Sequence, residues 1–186
     1  MTTPLKVLGI AGSLRKESYN RAALRAAREL APEGMEIEIL ELEGIPPFNQ
    51  DEESRPPETV VRLKSKIRAA DAILFVTPEY NYSIPGVLKN AIDWASRPYG
   101  DNAWHGKPVA VMGASPGMLG TARAQYHLRQ TFVFLNMFPV NAPEVLIAQA
   151  DRRFDPQGKL TDPSTAEFIK KLLVALAAWT RQLQKK

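Results

Sequence analysis

Short apolar runs alternate with stretches of helical periodicity along the whole chain, and this alternation constrains the fold more than any other feature. Parallel strands are buried on both faces and need long crossover connections, so the pattern predicts a parallel sheet with helices on both sides. The predicted strands are 5–11, 35–42, 72–77, 108–113 and 140–148, and the predicted helices are 21–30, 58–69, 85–97, 120–135 and 163–184. We therefore expect one α/β domain over residues 1–186, built as a three-layer sandwich.

Strands and helices in this sequence order fit a flavodoxin-like fold, whose five-stranded parallel sheet has the strand order 2-1-3-4-5. Ligands of such sheets bind beyond the carboxyl ends of the strands, where the order reverses between the first and the third strand. We therefore expect the loops after strands one, three and four to carry the functional residues. These are called the first loop (12–20), the second loop (77–86) and the third loop (113–121).

Two helix starts carry residues typical of caps. Ser83 precedes the third helix as its predicted cap, and Pro85 falls near the first helical position, where no N–H is needed. Ser164 and Glu167 have the spacing of a capping box at the start of the last helix.

The first loop, GSLRKESYN, is rich in groups that bind phosphate. Gly12 permits a turn, and the helix that follows presents backbone amides and the positive end of its dipole. Ser13, Ser18 and Asn20 add neutral donors, and the guanidinium of Arg15 can bind two phosphate oxygens at once. The loop therefore predicts a site for one terminal phosphate monoester. An ordinary turn capped by Ser18 or Asn20 is the alternative.

Two commoner phosphate-binding loops are excluded by spacing. Neither glycine–lysine pair, at 106–107 or 158–159, completes the G-x-x-x-x-G-K-[ST] pattern of a P-loop. Gly9 and Gly12 are three residues apart and no third glycine follows, so the dinucleotide fingerprint G-x-G-x-x-G is absent as well.

The other two loops have the residues of a ring-binding site. In the second loop, Tyr80 and Tyr82 offer aromatic surface and Asn81 offers an amide that both donates and accepts, which suits a flat heteroaromatic ring with imide-like edges. In the third loop, glycines permit close backbone approach and Ser115 can bond a ligand edge. A proline-rich turn with tyrosines packed on the core is the alternative for the second loop.

Composition excludes several classes of function. The chain has no cysteine, which rules out disulfides, thiolate metal sites and a cysteine nucleophile, and fits a reducing cytoplasm. The N-terminal apolar run is short and meets Arg15 and Lys16, so we expect no secretory signal and no membrane span. The net charge of +4 is spread over helix faces rather than gathered in a stripe, so we expect no nucleic-acid partner.

The loops together make the chain resemble the NAD(P)H-dependent FMN reductase family, which includes quinone, azo and chromate reductases. The family motif G-S-x-R-x-x-S-x-N matches residues 12–20, and P-E-Y-N-x-x-x-P-G-x-L-K-N-A-I-D-W matches residues 78–94 without a break. The third motif, S-x-G-x-x-G-G, matches residues 115–121, except that Thr121 replaces the last glycine. The resemblance covers nearly the whole chain.

This resemblance implies FMN as the cofactor and NADPH or NADH as the co-substrate. The cofactor-binding residues that it implies are Ser13, Arg15, Ser18, Tyr19 and Asn20 in the first loop, Pro78, Glu79, Tyr80 and Asn81 in the second loop, and Ser115 and Gly117 in the third loop. It also implies a homodimer or homotetramer in which a partner subunit helps to roof the flavin. The apolar stripe of the third predicted helix, with Trp94 at its edge, is the expected contact, and the alternative is that Trp94 packs within its own subunit.

The expected reaction needs no protein acid, base, nucleophile or metal, because the flavin carries the chemistry. Reduced nicotinamide gives hydride to the flavin and leaves, and a small-molecule electron acceptor then takes two electrons in the same space, by a ping-pong mechanism. His105 and His127 are expected to be surface or packing residues. Two alternatives are a flavodoxin-type electron carrier and a flavin-binding sensor, for which only the polar segment 149–162 gives any opening.

Overall fold

Parallel strands form the centre of the protein in a computed structural model that describes residues 3–185. The strands are β1 (Leu5–Ala11), β2 (Met35–Leu40), β3 (Ala72–Val76), β4 (Pro108–Ala114), β5 (Phe138–Pro139) and β6 (Val145–Ile147). They pair in the order β2-β1-β3-β4-β5, all parallel, and β6 also pairs with β4. The predicted strand order 2-1-3-4-5 is confirmed.

Helices cover both faces of the sheet. They are α1 (Tyr19–Glu29), α2 (Glu58–Ala69), α3 (Gly86–Ala95), α4 (Ala122–Leu135) and α5 (Pro163–Gln184), with short 3₁₀ turns at Gln50–Glu52 and Ala150–Arg152. Apolar residues of α1 and α5 form one core with the sheet, and those of α2, α3 and α4 form a second core on the opposite face. Within residues 3–185, no helix has the length and hydropathy needed to cross a bilayer.

The central strands are apolar throughout because each contributes to both cores. In β3, Leu74 and Val76 belong to the core beneath α1 and α5, whereas Ile73 and Phe75 belong to the core beneath the other three helices. Side chains alternate between the faces of a strand, so a strand covered on both sides has no polar face. This is why a continuous apolar run predicted a central strand.

The fifth predicted strand, 140–148, is wrong as a continuous element. The structure has two short pieces, of which Phe138–Pro139 pairs with the start of β4 and Val145–Ile147 with its end. Proline has no N–H to donate to a ladder, and Pro143 lies between the two pieces. Side chains of α4 bond the carbonyls that flank the interruption, since Arg129 donates to Val140 at 3.0 Å and Gln125 to Val145 at 3.1 Å.

Both predicted caps are also wrong. The last helix begins one residue before Ser164, with Pro163 at its first position and Asp162 as the N-cap. The third helix begins at Gly86 with Pro85 before it and no side-chain cap, and the hydroxyl of Ser83 instead lies 3.0 Å from the ring Nδ1 of His127. Caps depend on local backbone geometry, which sequence spacing alone does not determine.

The expected interface role of Trp94 is wrong as well, because this side chain is 1% exposed within its own subunit. Its indole N–H donates to the carbonyl of Pro46 at 2.8 Å, and its ring meets Phe48 edge-on at 5.0 Å between ring centroids. The loop after β2 therefore covers this side of α3. Large exposed apolar residues lie on α4 instead, where Val133 is 84% exposed and Phe134 76%.

We predict that Asp162→Ala lowers the free energy of unfolding by about 1 kcal/mol, the usual effect of losing an N-cap. The Asp162 carboxylate accepts hydrogen bonds from the hydroxyl and the amide of Thr165 at 2.6 and 2.7 Å and pairs with Arg153 at 2.7 Å. Denaturant unfolding measures the change. Ser164→Ala is the control, because this exposed residue lies next to the cap, and an equal loss there would contradict the assignment.

The difference in unfolding free energy between wild type and Asp162→Ala should depend on pH. Hydrogen bonds from Thr165, with a further contribution from Arg153, hold the pKa of Asp162 below its ordinary value. A lowered carboxyl pKa in the folded state stabilises the fold above the unfolded-state value and loses that effect as pH falls through the folded-state value. The stability difference between wild type and Asp162→Ala should therefore be full above about pH 5 and narrow on further acidification.

Candidate active site at the carboxyl edge of the sheet

The three predicted loops meet where β1, β3 and β4 end side by side. The amide of Gly12 donates to the carbonyl of Val76 at 2.9 Å, and the amide of Thr77 donates to that of Met112 at 3.0 Å. Gly12 and Thr77, the first residues of the first and second loops, are therefore still hydrogen-bonded to the neighbouring strand. The space that the first, second and third loops border is called the crevice below.

Two glycines allow these loops to touch. A Cβ atom at Gly12 would lie 3.1 Å from Pro85 and 3.2 Å from Pro78, both of the second loop. A Cβ atom at Gly113 would lie 2.3 Å from the backbone oxygen of Thr77, closer than such atoms approach in real proteins. Gly113 therefore requires glycine, because the backbone of the second loop occupies the space of a side chain, and Gly12 leaves room for a Cβ atom only if the neighbouring prolines move slightly.

The first loop presents hydrogen-bond donors at the start of α1. Ser18 is the N-cap, and its hydroxyl accepts from the amides of Asn20 and Arg21 at 3.2 and 3.5 Å. The buried hydroxyl of Ser13 accepts from the amide of Arg15 at 3.3 Å. Within residues 3–185, the backbone amides of Leu14, Lys16 and Glu17 donate to no protein acceptor. Free amides at a helix N-terminus, beside the positive end of its dipole, are the donor set of an anion site.

The remaining first-loop residues play different parts. Arg15 is exposed, and its guanidinium folds back to donate to the carbonyl of Glu17, so a cation lies beside the free amides. Tyr19 is half-buried, with its ring 5.9 Å from that of Phe154. Tyr19 therefore joins the first loop to the segment 149–162.

Asn20 ties the first loop to the third. Its side-chain oxygen accepts from the amide of Ala114 at 2.8 Å, and its side-chain nitrogen donates to the carbonyl of the same residue at 2.9 Å. The side chain is buried, and these bonds use its oxygen and one of the two N–H donors on its nitrogen. Asn20, which the sequence predicts as a phosphate donor, therefore also holds α1 against the end of β4.

The second loop carries its tyrosines in a tight hairpin. Tyr80 and Ser83 exchange backbone hydrogen bonds of 3.1 and 3.0 Å, and the two residues between them, Asn81 and Tyr82, have φ angles of 51° and 65°. Two left-handed residues between paired strands make a type I′ turn. Tyr80 is 51% exposed and Tyr82 67%, so the alternative in which these tyrosines pack on the core is wrong. Pro78, by contrast, is buried at the base of the loop.

Glu79 connects the second loop to α4. Its nearly buried carboxylate accepts from the backbone amides of Arg123 and Ala124 at 3.1 and 3.3 Å, and from the Arg123 Nε at 2.5 Å. The N-cap residue of α4, Thr121, makes no side-chain cap bond, so Glu79 caps this helix from another loop. Sequence reasoning missed Arg123, because 44 residues separate it from Glu79 and no local pattern joins the two.

The third loop turns tightly beside the second. The hydroxyl of Ser115 accepts from the amide of Gly117 at 3.0 Å, and Gly117 and Met118 are exposed. Thr121 stands where the family motif has glycine and adopts a φ of 70°, a conformation that β-branched residues rarely take. Its side chain is buried and fills the space that Gly113 leaves, since a Cβ there would lie 1.9 Å from the Thr121 hydroxyl.

The donor set of the crevice fits FMN. Free amides, serine hydroxyls and the Arg15 guanidinium suit a phosphate that carries two negative charges. Exposed tyrosine rings on one side and glycine backbone on the other suit a flat ring. The three loops contain no histidine and no cysteine, and both histidines of the chain are exposed, so the chemistry that the site supports is that of a bound cofactor.

Comparisons with known proteins agree with this geometry. The profile of the family NADPH-dependent FMN reductase matches residues 5–152. Over 185 residues, the chain is 56% identical to an NAD(P)H-dependent FMN reductase of Pseudomonas aeruginosa, covering 99% of this chain and 100% of that protein. It is 47% identical over 182 residues to a quinone reductase of Pseudomonas putida, covering 97% of each chain.

A solved structure is similar throughout. The flavoenzyme NAD(P)H:(acceptor) oxidoreductase FerB from Paracoccus denitrificans superimposes with a TM-score of 0.88 at 40% identity, covering 96% of this chain and 98% of that one. The family description names FMN, which the donor set of the crevice fits, and NADPH as the electron donor. The chain therefore belongs to the NADPH-dependent FMN reductase family and is an FMN-dependent oxidoreductase that takes its electrons from reduced nicotinamide.

Proposed function

We propose that the chain reduces quinones with electrons from NADH or NADPH by a ping-pong mechanism in the single crevice between its three loops. The observation that carries the proposal is the convergence of an anion site, exposed tyrosines and a glycine-rich turn on one edge of one sheet. The quinone reductase of Pseudomonas putida, 47% identical, supports quinones as the first acceptor class. Azo compounds, free flavin and metal oxyanions are further acceptors that the family resemblance suggests.

The first loop would hold the cofactor phosphate. Ser13 and Ser18 would supply hydroxyls and Arg15 a guanidinium, and the free backbone amides between them would supply further N–H donors. Asn20 also fixes the backbone of this loop by its two hydrogen bonds with Ala114. When bound, FMN would supply the redox chemistry, which is hydride uptake from nicotinamide and transfer of an electron pair to the acceptor.

The second and third loops would border the ring. Backbone atoms from Pro78 to Asn81 and the exposed ring of Tyr80 would lie on one side of the ring, and Ser115 and Gly117 would lie on the other. The carboxylate of Glu79 is bonded to α4, so this residue contributes backbone to the crevice rather than a general base. The protein's part in the reaction is to position nicotinamide and quinone one after the other, so that the two substrates do not occupy the crevice together.

An electron carrier or a sensor is less well supported. The relatives with 47% and 56% identity are named as reductases, and a reductase needs the open approach that the exposed Tyr80 and Tyr82 border. The segment 149–162, the only opening for a sensor function, folds against α1 through Gly158.

We also propose that the subunit assembles into a homodimer or homotetramer, with a partner helping to cover the crevice. The support is an exposed apolar row on α4, formed by Tyr126, Val133 and Phe134, which lie seven and eight residues apart and so share one helix face. Exposed apolar rows of this kind mark interaction surfaces.

The phosphate assignment predicts a strong preference for FMN over riboflavin. Arg15→Ala should weaken FMN binding by about 10- to 100-fold, because charge-assisted hydrogen bonds to phosphate are lost, and should leave riboflavin binding unchanged. Fluorescence titration of the apoprotein measures both affinities. Arg28→Ala is the control, since Arg28 is an exposed arginine at the opposite end of α1. Equal affinities of wild type for riboflavin and FMN would contradict the assignment.

A single crevice predicts parallel initial-rate lines. On FMN-loaded protein, varying NAD(P)H at several fixed quinone concentrations should give equal slopes in double-reciprocal plots, because each substrate leaves before the other enters. Excess quinone should inhibit competitively against NAD(P)H. Intersecting lines, together with a trapped complex of both substrates, would show two separate sites.

The α4 row predicts the effect of a charge on assembly. Val133→Lys should shift the protein toward monomer, because a lysine ammonium at an apolar contact loses its hydration without gaining a partner. Light scattering gives the mass. Val61→Lys is the matched control, since Val61 is 51% exposed on α2. A monomeric wild type, or an unchanged mass for Val133→Lys, would return α4 to a solvent-facing role.

A further inference from the structure

One arginine holds the tyrosine hairpin of the second loop to α4. Arg123 pairs with the Glu79 carboxylate, and its guanidinium carbon lies 3.5 Å from the centre of the Tyr82 ring. It thereby contacts both the base and the tip of the second loop. We propose that Arg123 is a positioning residue, which fixes Tyr82 as a wall of the crevice against which planar quinone and nicotinamide rings stack; this role rests on the proposed function.

The contacts of Arg123 with Glu79 and Tyr82 are called the clamp below, and its ion pair with Glu79 is the buried part. The Glu79 side chain is 7% exposed and that of Arg123 36%. A carboxylate so far from water needs several donors, and Glu79 receives them from the Arg123 side chain and from the amides of Arg123 and Ala124. The bonds to the amides fix the carboxylate on the helix, and the guanidinium is held in turn by the carboxylate.

The hairpin needs such a support from outside. Asn81 and Tyr82 are both left-handed and neither is glycine, so the turn is not the conformation that these residues prefer in isolation. Two residues of α4, one turn apart, contact the hairpin at successive positions. Arg123 lies over Tyr82, and the His127 ring nitrogen lies 3.0 Å from the Ser83 hydroxyl. Residues i and i+4 share a helix face, so α4 supports the hairpin along one row.

The stacking leaves one face of the tyrosine for a ligand. Tyr82 is 67% exposed although Arg123 covers one face of its ring. A cation over an aromatic face restricts the ring without burying it. An aromatic ring whose orientation is fixed in advance binds a planar substrate with less loss of freedom than a mobile one does.

The first test compares Arg123→Ala with wild type in FMN-loaded protein. The KM values for quinone and for NAD(P)H should rise about tenfold, while the affinity for FMN changes less than about threefold, because the hairpin moves and the first loop does not. Arg123→Lys should recover part of the KM, since lysine keeps the charge but lacks the planar fork. Unchanged KM values for Arg123→Ala would overturn the proposal.

Arg97→Ala is the matched control. Arg97 also pairs with a glutamate, Glu53 at 2.8 Å, and also lies over a tyrosine, Tyr99 at 3.8 Å, but it is outside the three loops. Arg97→Ala removes the same kinds of contact but outside the three loops, so the KM values of this variant should remain those of wild type. A rise in KM equal to that of Arg123→Ala would show that both effects reflect general loosening of the fold, and would overturn the positioning role.

A double-mutant cycle tests the route through the tyrosine. If Arg123 acts by holding Tyr82, then Tyr82→Ala should raise the KM values as Arg123→Ala does, and the double variant should be no worse than either single variant. Additive effects would show that Arg123 acts on substrates independently and would overturn the proposed route.

Amide hydrogen exchange needs no catalytic turnover, so it tests the clamp independently of the proposed function. Amide hydrogen exchange at Tyr80 and Ser83, whose amides close the hairpin, should accelerate about tenfold in Arg123→Ala and remain unchanged in Arg97→Ala, with or without FMN. Failure of wild type to reduce any quinone would refute the proposed function, and the exchange result would still decide whether the clamp exists. Unchanged exchange at the hairpin would overturn the clamp itself.

Discussion

The close contact of three loops at the carboxyl edge of the sheet is the constraint on which the site depends. Glycine at positions 12 and 113 is what permits it, because a Cβ atom at either would meet atoms of the second loop at 3.2 Å or less. Asn20 then locks the first loop to the third by two hydrogen bonds with Ala114. The base of the crevice is thus formed by backbone whose spacing is set by the sheet.

Among the helices that begin at this edge, α1 and α4 have different partners for their N-terminal amides. At α4 the amides of Arg123 and Ala124 are satisfied by the carboxylate of Glu79, so this helix end is already neutralised. At α1 the cap is the uncharged Ser18, and free amides lie in the loop before it. An anionic ligand group is therefore favoured at α1 over α4, which orients a molecule with a phosphate at one end and a ring at the other.

Unfavourable backbone conformations collect around the same crevice. Asn81, Tyr82 and Thr121 all have positive φ angles, and two of them contact side chains of α4. Tyr82 is covered by Arg123, and the hydroxyl of Thr121 accepts from Gln125 at 3.2 Å. Such conformations persist where the surrounding structure determines them, and they place exposed side chains that a relaxed turn would direct elsewhere.

The sequence by itself determined the order of strands and helices, the sheet topology and the three loops that form the site, because burial on two faces and helical amphipathicity leave periodic local signals. It also predicts an anion site in the first loop, whose pattern lies within nine consecutive positions. Only the tertiary structure decided the roles of Asn20, Glu79 and Trp94, which find their partners 94, 44 and 48 residues away along the chain. Such pairs have no local period, so a single sequence does not reveal that Asn20 braces the sheet, that Glu79 caps α4, or that Trp94 is buried within its own subunit.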